Sequence, residues 1–185
     1  MSREQFHNDP ISTTYLAADY SAIEITRMLG RRRIVWPEEV ENDVGGHVGE
    51  KEYIFVQNNE GADWTVSTTT QLGEIISRNI ADTVPASAFR GTSATASGRR
   101  DQTLGVTDHT IEDGYLGWIV RNGQVELLVD NAGVTAGDGI MPSATAGTGA
   151  TWAVGEEERL IGTFVDTVAG GGAGATGGTA ILDLD

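Results

Sequence analysis

The chain has 185 residues, no cysteine, and a net charge of −15 from 12 basic and 27 acidic residues. The lack of cysteine excludes a disulfide framework and thiolate chemistry. A uniformly acidic chain repels phosphate backbones, so the composition argues against nucleic-acid binding. No stretch approaches the roughly 20 apolar residues of a membrane helix. The polar N-terminal segment MSREQFHNDP does not resemble a signal peptide, so we expect a soluble protein made in the cytoplasm, with no membrane partner.

The acidity has two explanations that the sequence leaves open. An acidic surface keeps a protein soluble at high salt, which indicates a halophilic source such as a halophilic archaeon. Lys51 is the only lysine among the basic residues. A preference for arginine, together with much alanine and glycine, is also typical of a GC-rich genome.

Residues 1–52 are predicted to form an N-terminal arm, extended or partly helical. Within it, SAIEITRMLGRRR predicts a short helix that ends near Gly30, with arginines in its last turn. The glycine-rich, charged stretch VENDVGGHVGEKE predicts a loop.

Residues 53–103 are predicted to form a hairpin, a short helix and a linker. The runs YIFV and WTVSTTT are separated by NNEGAD, which predicts the hairpin. The segment TTTQLGEIISRNIAD spaces its apolar residues as an amphipathic helix of about three turns does. These residues are Leu72, Ile75, Ile76 and Ile80. Residues 83–103 are rich in Ser, Thr, Ala and Gly and predict the linker or a long surface loop.

Residues 104–185 are predicted to form a β-barrel-like domain, and the fold class is mainly β. Short apolar runs are cut by Gly, Asp and Asn at intervals of about 8–14 residues, which is typical of a barrel or sandwich. The runs are YLGWIV (115–120), VELLV (125–129), GIM (139–141), TWAV (151–154), LIGTFVDTV (160–168) and TAILDL (179–184). The Asn-Gly step within residues 121–124 predicts a two-residue hairpin turn between the first two runs.

Two motifs suggest ligand chemistry but favour plainer interpretations. GAGATG (172–177) matches the glycine pattern of dinucleotide-binding loops, yet a strand-like TAILDLD follows where a helix is needed, so a hairpin loop is favoured. The adjacent carboxylates of Glu156, Glu157 and Glu158 point in different directions on a strand or turn, so a solvated turn is favoured over a cation site.

The sequence predicts no catalytic residue, no metal site and no cofactor. The three histidines lie far apart, without the spacing of a metal site, and no serine lies in a nucleophile elbow. The enzymatic alternative is a hydrolase whose site assembles in space around His109, with Asp108, Glu112 and Asp113 nearby.

The stretch DNAGVTAGDGIMPS (130–143) places glycines and aspartates directly after an apolar run. Glycine supplies positive φ and aspartate closes turns with its side chain, so this composition predicts a connection between strands that requires no ligand. Asp130, Asn131 and Asp138 do not match the spacing of a calcium loop.

The only basic run is Arg31, Arg32 and Arg33, which IVWP follows. The run either anchors an acidic partner surface or forms a solvated helix terminus. Trp36 precedes a proline, which favours an extended backbone, and a large apolar side chain is costly to expose. The segment is therefore a candidate for docking on another protein.

The C-terminal residues resemble the small β-barrel capsid decoration, or cement, proteins of tailed viruses. The resemblance covers residues 104–185 and rests on AGDGI (136–140), LIGTFV (160–165) and TAIL (179–182). The first hundred residues depart from the shorter family pattern. The resemblance implies a structural virion protein on the outside of an icosahedral head, where it stabilises capsid subunit junctions, commonly as a homotrimer.

The implied partners are the major capsid protein and further copies of the chain. Arg31, Arg32, Arg33 and Trp36 are then the candidates for capsid contact. Polar stretches such as residues 1–60 and 83–103 are expected to lie extended over neighbouring subunits and to become ordered on binding.

The alternative function is a virion surface binding module, such as a turret or a host- or carbohydrate-binding protein. Sugars stack on aromatic faces, so an exposed aromatic cluster favours this alternative and burial counts against it. The candidate residues are Trp64, Trp118, Trp152 and Tyr115.

Overall fold

The computed structural model describes residues 9–36, 49–66, 72–79, 88–93, 102–170 and 176–184. These residues form thirteen strands and one α-helix, which confirms the predicted mainly-β class. The N-terminal elements are β1 (Tyr15–Leu16), α1 (Ala22–Met28), β2 (Arg32–Val35), β3 (Lys51–Asn58), β4 (Ile75–Arg78), β5 (Arg90–Thr92) and β6 (Thr103–Val106). The C-terminal elements are β7 (Tyr115–Val129), β8 (Gly133–Val134), β9 (Gly139–Pro142), β10 (Gly149–Thr151), β11 (Gly162–Phe164), β12 (Val168–Ala169) and β13 (Thr176–Asp183). No helix in the described ranges is long and apolar enough to cross a membrane.

The long strand β7 belongs to two closed rings of strands. Its second half pairs with β13, and the path continues through β11, β9 and β10 back to β7, which closes a five-stranded barrel. Its first half pairs with β3 and β6, and β4 and β5 complete a second ring. We call these the C-terminal barrel and the N-terminal ring. Closure satisfies backbone groups that would otherwise form exposed sheet edges.

The predicted hairpin turn at residues 121–124 is wrong, because these residues lie inside β7. Gly123 has φ 107°, which bends the strand without reversing it. The two apolar runs on either side of the bend do not pair with each other. The first pairs with β3 and the second with β13, so long-range partners override the local Asn-Gly signal.

Asn122 ties three strands together at this bend. Its Nδ2 donates to Glu52 Oε2 of β3 at 2.6 Å, and its Oδ1 accepts from the backbone N–H of Leu184, just after β13, at 2.5 Å. The side chain therefore joins the two rings where β7 passes from one to the other.

Each ring has its own apolar interior. The N-terminal ring encloses Ile54, Val56, Trp64, Ile76, Leu104, Ile111 and Ile119. The C-terminal barrel encloses Val125, Leu127, Val129, Ile140, Ile161, Phe164, Ala180 and Leu182, which belong to a larger core. That core includes Tyr53 and Phe55 of β3, and the Phe55 ring meets Trp118 edge-on at 4.9 Å between centroids. Strand β3 is thus buried on both faces, like a central strand.

The described part of the predicted N-terminal arm packs against this chain's own sheet. Tyr15 pairs with Leu116 of β7, its ring meets Phe55 at 6.0 Å, and its hydroxyl donates to Asp9 Oδ2 at 2.6 Å. The described part of the segment therefore packs on its own chain, while its ordering on a neighbouring subunit stays a prediction. Burial of the aromatic residues against β3 and β7 holds the segment.

The predicted helix that ends near Gly30 is confirmed as α1. Ser21 caps its N-terminus in a capping box with Glu24, and Gly30 follows the helix with φ 77°. The helix has no fully buried residue, so these local end signals fix its limits.

The hairpin and the helix predicted within residues 53–103 are wrong. Trp64 forms an antiparallel bridge with Ile111 and does not pair back onto β3 as a hairpin would. Residues 75–78 form β4 and not a helix, while Ile80 lies outside the described residues. Ile76 enters the ring interior and Ile75 enters the larger core, so the two isoleucines point to opposite faces of a strand.

The predicted linker contributes β5, whose central Gly91 is buried. A Cβ there would lie 2.4 Å from Ile76 Cγ2, so a side chain does not fit. The rest of residues 83–103 is described only at 88–93 and 102–103. The predicted unit boundaries at 52/53 and 103/104 fall inside β3 and β6. The division into three units stays a prediction.

In the C-terminal part the predicted runs overlap strands with shifted limits. GIM lies in β9 and TAILDL lies in β13 except for its last residue, Leu184, whereas LIGTFVDTV divides into β11 and β12. Of TWAV, only Thr151 belongs to a strand, the last residue of β10. Because these strands are short and separated by glycine turns, their first and last residues depend on which residues pair with a neighbouring strand.

We expect Gly123→Ala to destabilise the protein by about 2 kcal/mol or more, because a side chain at positive φ is strained and this one is also crowded. The added Cβ would lie 2.7 Å from the Glu50 carbonyl oxygen. Gly155→Ala is the matched control, since Gly155 has φ 96° with nothing within 4 Å. Urea unfolding of both variants should show the larger loss for Gly123→Ala, and equal losses would contradict the crowding at the bend.

We expect Asn122→Ala to lower the free energy of unfolding by about 1–3 kcal/mol, because Glu52 and the Leu184 N–H lose a partner. Asn131→Ala at an exposed turn is the control and should change stability little. Thermal unfolding measures both, and an unchanged midpoint for Asn122→Ala would show that the side chain does not join the rings.

Candidate functional site

Two of the predicted capsid-contact arginines contact their own chain. The Arg31 side chain donates through Nε to the Arg27 carbonyl at 2.8 Å, at the C-terminal end of α1. The Arg33 side chain donates to the Asp9 carbonyl at 2.7 Å. These bonds hold the helix end and the N-terminal segment in place. The interpretation of the run as a helix terminus fits Arg31 alone, since Arg32 and Arg33 lie in β2.

The remaining candidates share one face of β2. Arg32 forms an ion pair with Glu52 at 3.0 Å, and 53% of its side chain stays exposed. Ile34 is 55% exposed and Trp36 is 54% exposed. Because strand side chains alternate, Arg32 and Ile34 lie on one face of β2. Together with the exposed Trp36, which directly follows the strand, they form the row that we call the β2 stripe. Sequence reasoning missed Ile34, although alternation within RRIVW would have indicated it once a strand was predicted.

The four aromatic residues considered for sugar stacking do not form an exposed cluster. Trp64 and Trp118 are completely buried in the two cores. Trp152 is partly buried, and its Nε1 donates to the Glu156 carbonyl at 2.8 Å. Tyr115 is also partly buried. Burial counts against a carbohydrate-binding platform built from these residues.

His109 belongs to a partly buried polar network. Its Nδ1 lies 2.7 Å from Asp108 Oδ1, and Asp108 Oδ2 accepts a hydrogen bond from the Tyr53 hydroxyl at 2.7 Å. Burial by itself would raise the pKa of Asp108. Hydrogen bonds from His109 and Tyr53, with the charges of His109 and Lys51, outweigh burial and lower this pKa. The network links β3 to the connection between β6 and β7.

The other acids considered for a hydrolase make contacts elsewhere. Asp113 Oδ1 accepts from the Gly61 N–H at 3.0 Å, and Glu112 is exposed. His109 Nε2 is buried and makes no hydrogen bond to any residue described. A base needs a nucleophile within hydrogen-bond reach, and these contacts place none at Nε2.

The carboxylates of residues 130–143 close turns. Asp130 Oδ1 accepts from the Ala132 N–H at 3.0 Å, and Asp138 Oδ2 accepts from the Thr135 N–H at 3.0 Å. Gly133 has φ 77°. The predicted turns are therefore present, and they connect β7, β8 and β9, of which the last two lie within this stretch. Within the described ranges, no group of three or more His, Asp or Glu side chains is placed to hold a metal ion.

The two remaining motifs also have structural roles. Glu157 and Glu158 lie in a 3-10 turn, and the preceding Glu156 forms an ion pair with Arg159 at 2.5 Å, which confirms the predicted turn. Of GAGATG, residues 172–175 lie outside the described residues, and Gly177 is part of β13. A Cβ on Gly177 would lie 1.7 Å from Leu72 Cδ2, so close packing requires glycine there.

Glu74 occupies the segment that bridges the two rings. The neighbouring Gly73 donates to the Glu126 carbonyl of β7 at 2.8 Å, and Ile75 donates to the Gly147 carbonyl at 2.8 Å. Burial and then repulsion by Glu60 raise the pKa of Glu74 to about 7. Its Oε2 is buried and has no hydrogen-bond partner in the described part of the chain. Near neutral pH this carboxyl group therefore destabilises the junction as it ionises.

Comparison with known proteins gives structural similarities but no sequence match. No family model matches the sequence, and no curated protein matches it. The chain is similar to the N base of the head fiber protein gp8.5 of bacteriophage phi29, with a TM-score of 0.45 and 9% identity. The similarity covers 71% of this chain and 92% of the other. A similarity at this level bears on neither fold nor function.

We expect Glu74→Gln to stabilise the protein at pH 8 and to have little effect near pH 4.5. The native carboxyl group keeps its proton up to about pH 7 when folded and loses it near its ordinary pKa of 4.5 when unfolded. Native stability therefore falls between these pH values as pH rises, and glutamine removes this loss. Thermal midpoints across this pH range measure the difference. Glu112→Gln at an exposed position is the control, and a parallel pH dependence of Glu74→Gln and the native protein would contradict the assignment.

Proposed function

We propose that this chain is a structural virion protein that binds the outer surface of an icosahedral capsid and stabilises the junctions between capsid subunits. One observation carries the proposal. The three pieces that resemble decoration proteins are far apart in sequence, yet they lie on the neighbouring strands β9, β11 and β13. Gly162 pairs with both Ile140 and Leu182, so the resemblance describes a continuous patch of one barrel.

The fold is suited to this task. Closed hydrogen-bonded rings resist deformation better than open sheets, which favours a protein that must hold subunits against internal pressure. The net charge of −15 keeps such a protein soluble before assembly. The partners are the major capsid protein and further copies of the chain in a homotrimer. Weak contacts repeated around a trimer give avidity without one strong site.

The proposal is tested by locating the protein in the virus particle. We expect an antibody raised against the purified protein to label the outside of intact particles released by cells that carry this gene. A pre-adsorbed antibody serves as the control. Labelling only of disrupted particles, or of none, would contradict a place on the capsid exterior.

The oligomer provides a second measurement on the free protein. Light scattering should give three times the chain mass of 19.6 kDa. A trimer that requires molar salt would favour the halophilic explanation of the acidity, because salt screens repulsion between acidic chains. A salt-insensitive monomer would contradict the homotrimer.

A further inference from the structure

Among the described residues, the edge of β2 that faces away from β3 is open. Strand β2 pairs with β3 and with no other strand in the described ranges. In an antiparallel pair, the backbone groups of alternate residues point to the partner strand. Phe55 donates to the Arg31 carbonyl at 2.9 Å, so the ladder to β3 runs through the odd-numbered residues of β2. The N–H and C=O of Arg32 and Ile34 therefore point to the open edge.

The β2 stripe lies along this edge. A strand added to an open edge gains backbone hydrogen bonds and places alternate side chains beside those of its neighbour. Such a strand would set its side chains next to the Arg32 guanidinium and the exposed faces of Ile34 and Trp36. The edge therefore offers the half-exposed Arg32 guanidinium, which also pairs with Glu52 of β3, at one end of the row and apolar surface at the other.

We propose that this edge binds an extended acidic segment of another protein of the particle, which adds to the sheet as a further strand beside β2. The segment carries carboxylates beside Arg32 and apolar side chains against Ile34 and Trp36. The inference rests on the proposed function, which supplies the class of partner.

Charge favours this occupant over a second copy of the chain. The chain carries a net −15, and residues 31–33 are its only run of three basic residues, of which Arg32 presents a half-exposed guanidinium, so an acidic segment is repelled by most of the chain and attracted here. Two copies paired antiparallel through β2 would bring two arginine runs to one edge. Like charges across paired strands are destabilising.

The experiment measures binding of two synthetic peptides of about ten residues, the length of a long strand. Both alternate threonine with valine, and one ends in two glutamates where the other ends in two lysines. We expect the full-length protein to bind the glutamate peptide about tenfold more tightly at low salt and the difference to shrink in molar salt. Calorimetry gives the affinities, and tryptophan fluorescence reports the covering of the exposed Trp36.

Three variants locate the binding. Ile34→Pro removes the N–H that points to the open edge and leaves the ladder to β3 intact, so it should abolish binding. Arg32→Glu should reverse the preference in favour of the lysine peptide. Trp36→Ala should weaken binding and remove the fluorescence change. If Ile34→Pro does not fold, as judged by circular dichroism, the other two variants still decide the proposal.

Equal affinity for the two peptides would overturn the proposal, as would unchanged binding by folded Ile34→Pro. A native oligomer that Ile34→Pro dissociates would assign the edge to a second copy and would also overturn it. The peptide assay uses no particles and the labelling assay uses no edge variant. Failure of one proposal is therefore distinguishable from failure of the other.

Discussion

Both rings of strands depend on the continuity of β7 through its bend. The strand supplies pairing partners to β3 and β6 before the bend and to β13 and β10 after it. Gly123 permits the change of direction, and Asn122 fastens the bend to β3 and to the end of β13. Without this bend, one strand could not satisfy backbone groups in two closed rings.

A second connection joins the rings through residues 73–75. Gly73 exchanges backbone hydrogen bonds with Glu126 and Leu128 of β7, and a Cβ at Gly73 would lie 1.8 Å from the Thr107 carbonyl oxygen. Glycine is thus required for this close approach. The partly buried Glu74 lies at this tight junction, and its Oε2 has no hydrogen-bond partner among the described residues. Burial raises the pKa of this carboxyl group, so its ionised form opposes the packing of the junction.

The three consecutive arginines make different contacts because side chains alternate between the two faces of the strand. Arg31 bonds the end of α1 and Arg33 bonds the N-terminal segment, so these two side chains are used inside the molecule. Arg32 remains half exposed, next to the exposed Ile34 and Trp36 on the same face. The inner face of β2 therefore serves the fold, while its outer face and open edge are available for a partner.

The large buried aromatic residues serve the fold in the same way. Trp64 and Trp118 fill the two cores, and the Tyr53–Asp108–His109 network lies between β3 and the start of β7. Residue types that suggest sugar binding or hydrolysis from the sequence are thus used for packing and buried hydrogen bonding.

The sequence by itself determined the features that rest on local chemistry. The capping box and Gly30 fixed α1, the aspartates and glycines of residues 130–143 fixed turns, and the spacing of apolar runs indicated an all-β fold. These signals act over a few residues, so they can be recognised in the sequence without knowing which strands pair. The face of β2 could also have been predicted, had RRIVW been assigned to a strand.

The tertiary structure decided everything that depends on distant pairing. Ile75 and Ile76 match a helical pattern, but they belong to β4, which pairs with β5 and β6. Their side chains enter the two different cores. The Asn-Gly step at 122–123 matches a hairpin turn, but the residues before it pair with β3 and those after it pair with β13. Hydrogen bonds and burial gained with strands that are distant in the sequence outweigh local preferences of about 1 kcal/mol. The open edge beside Arg32 and Ile34 arises for the same reason, because an edge exists only once the strand order is set.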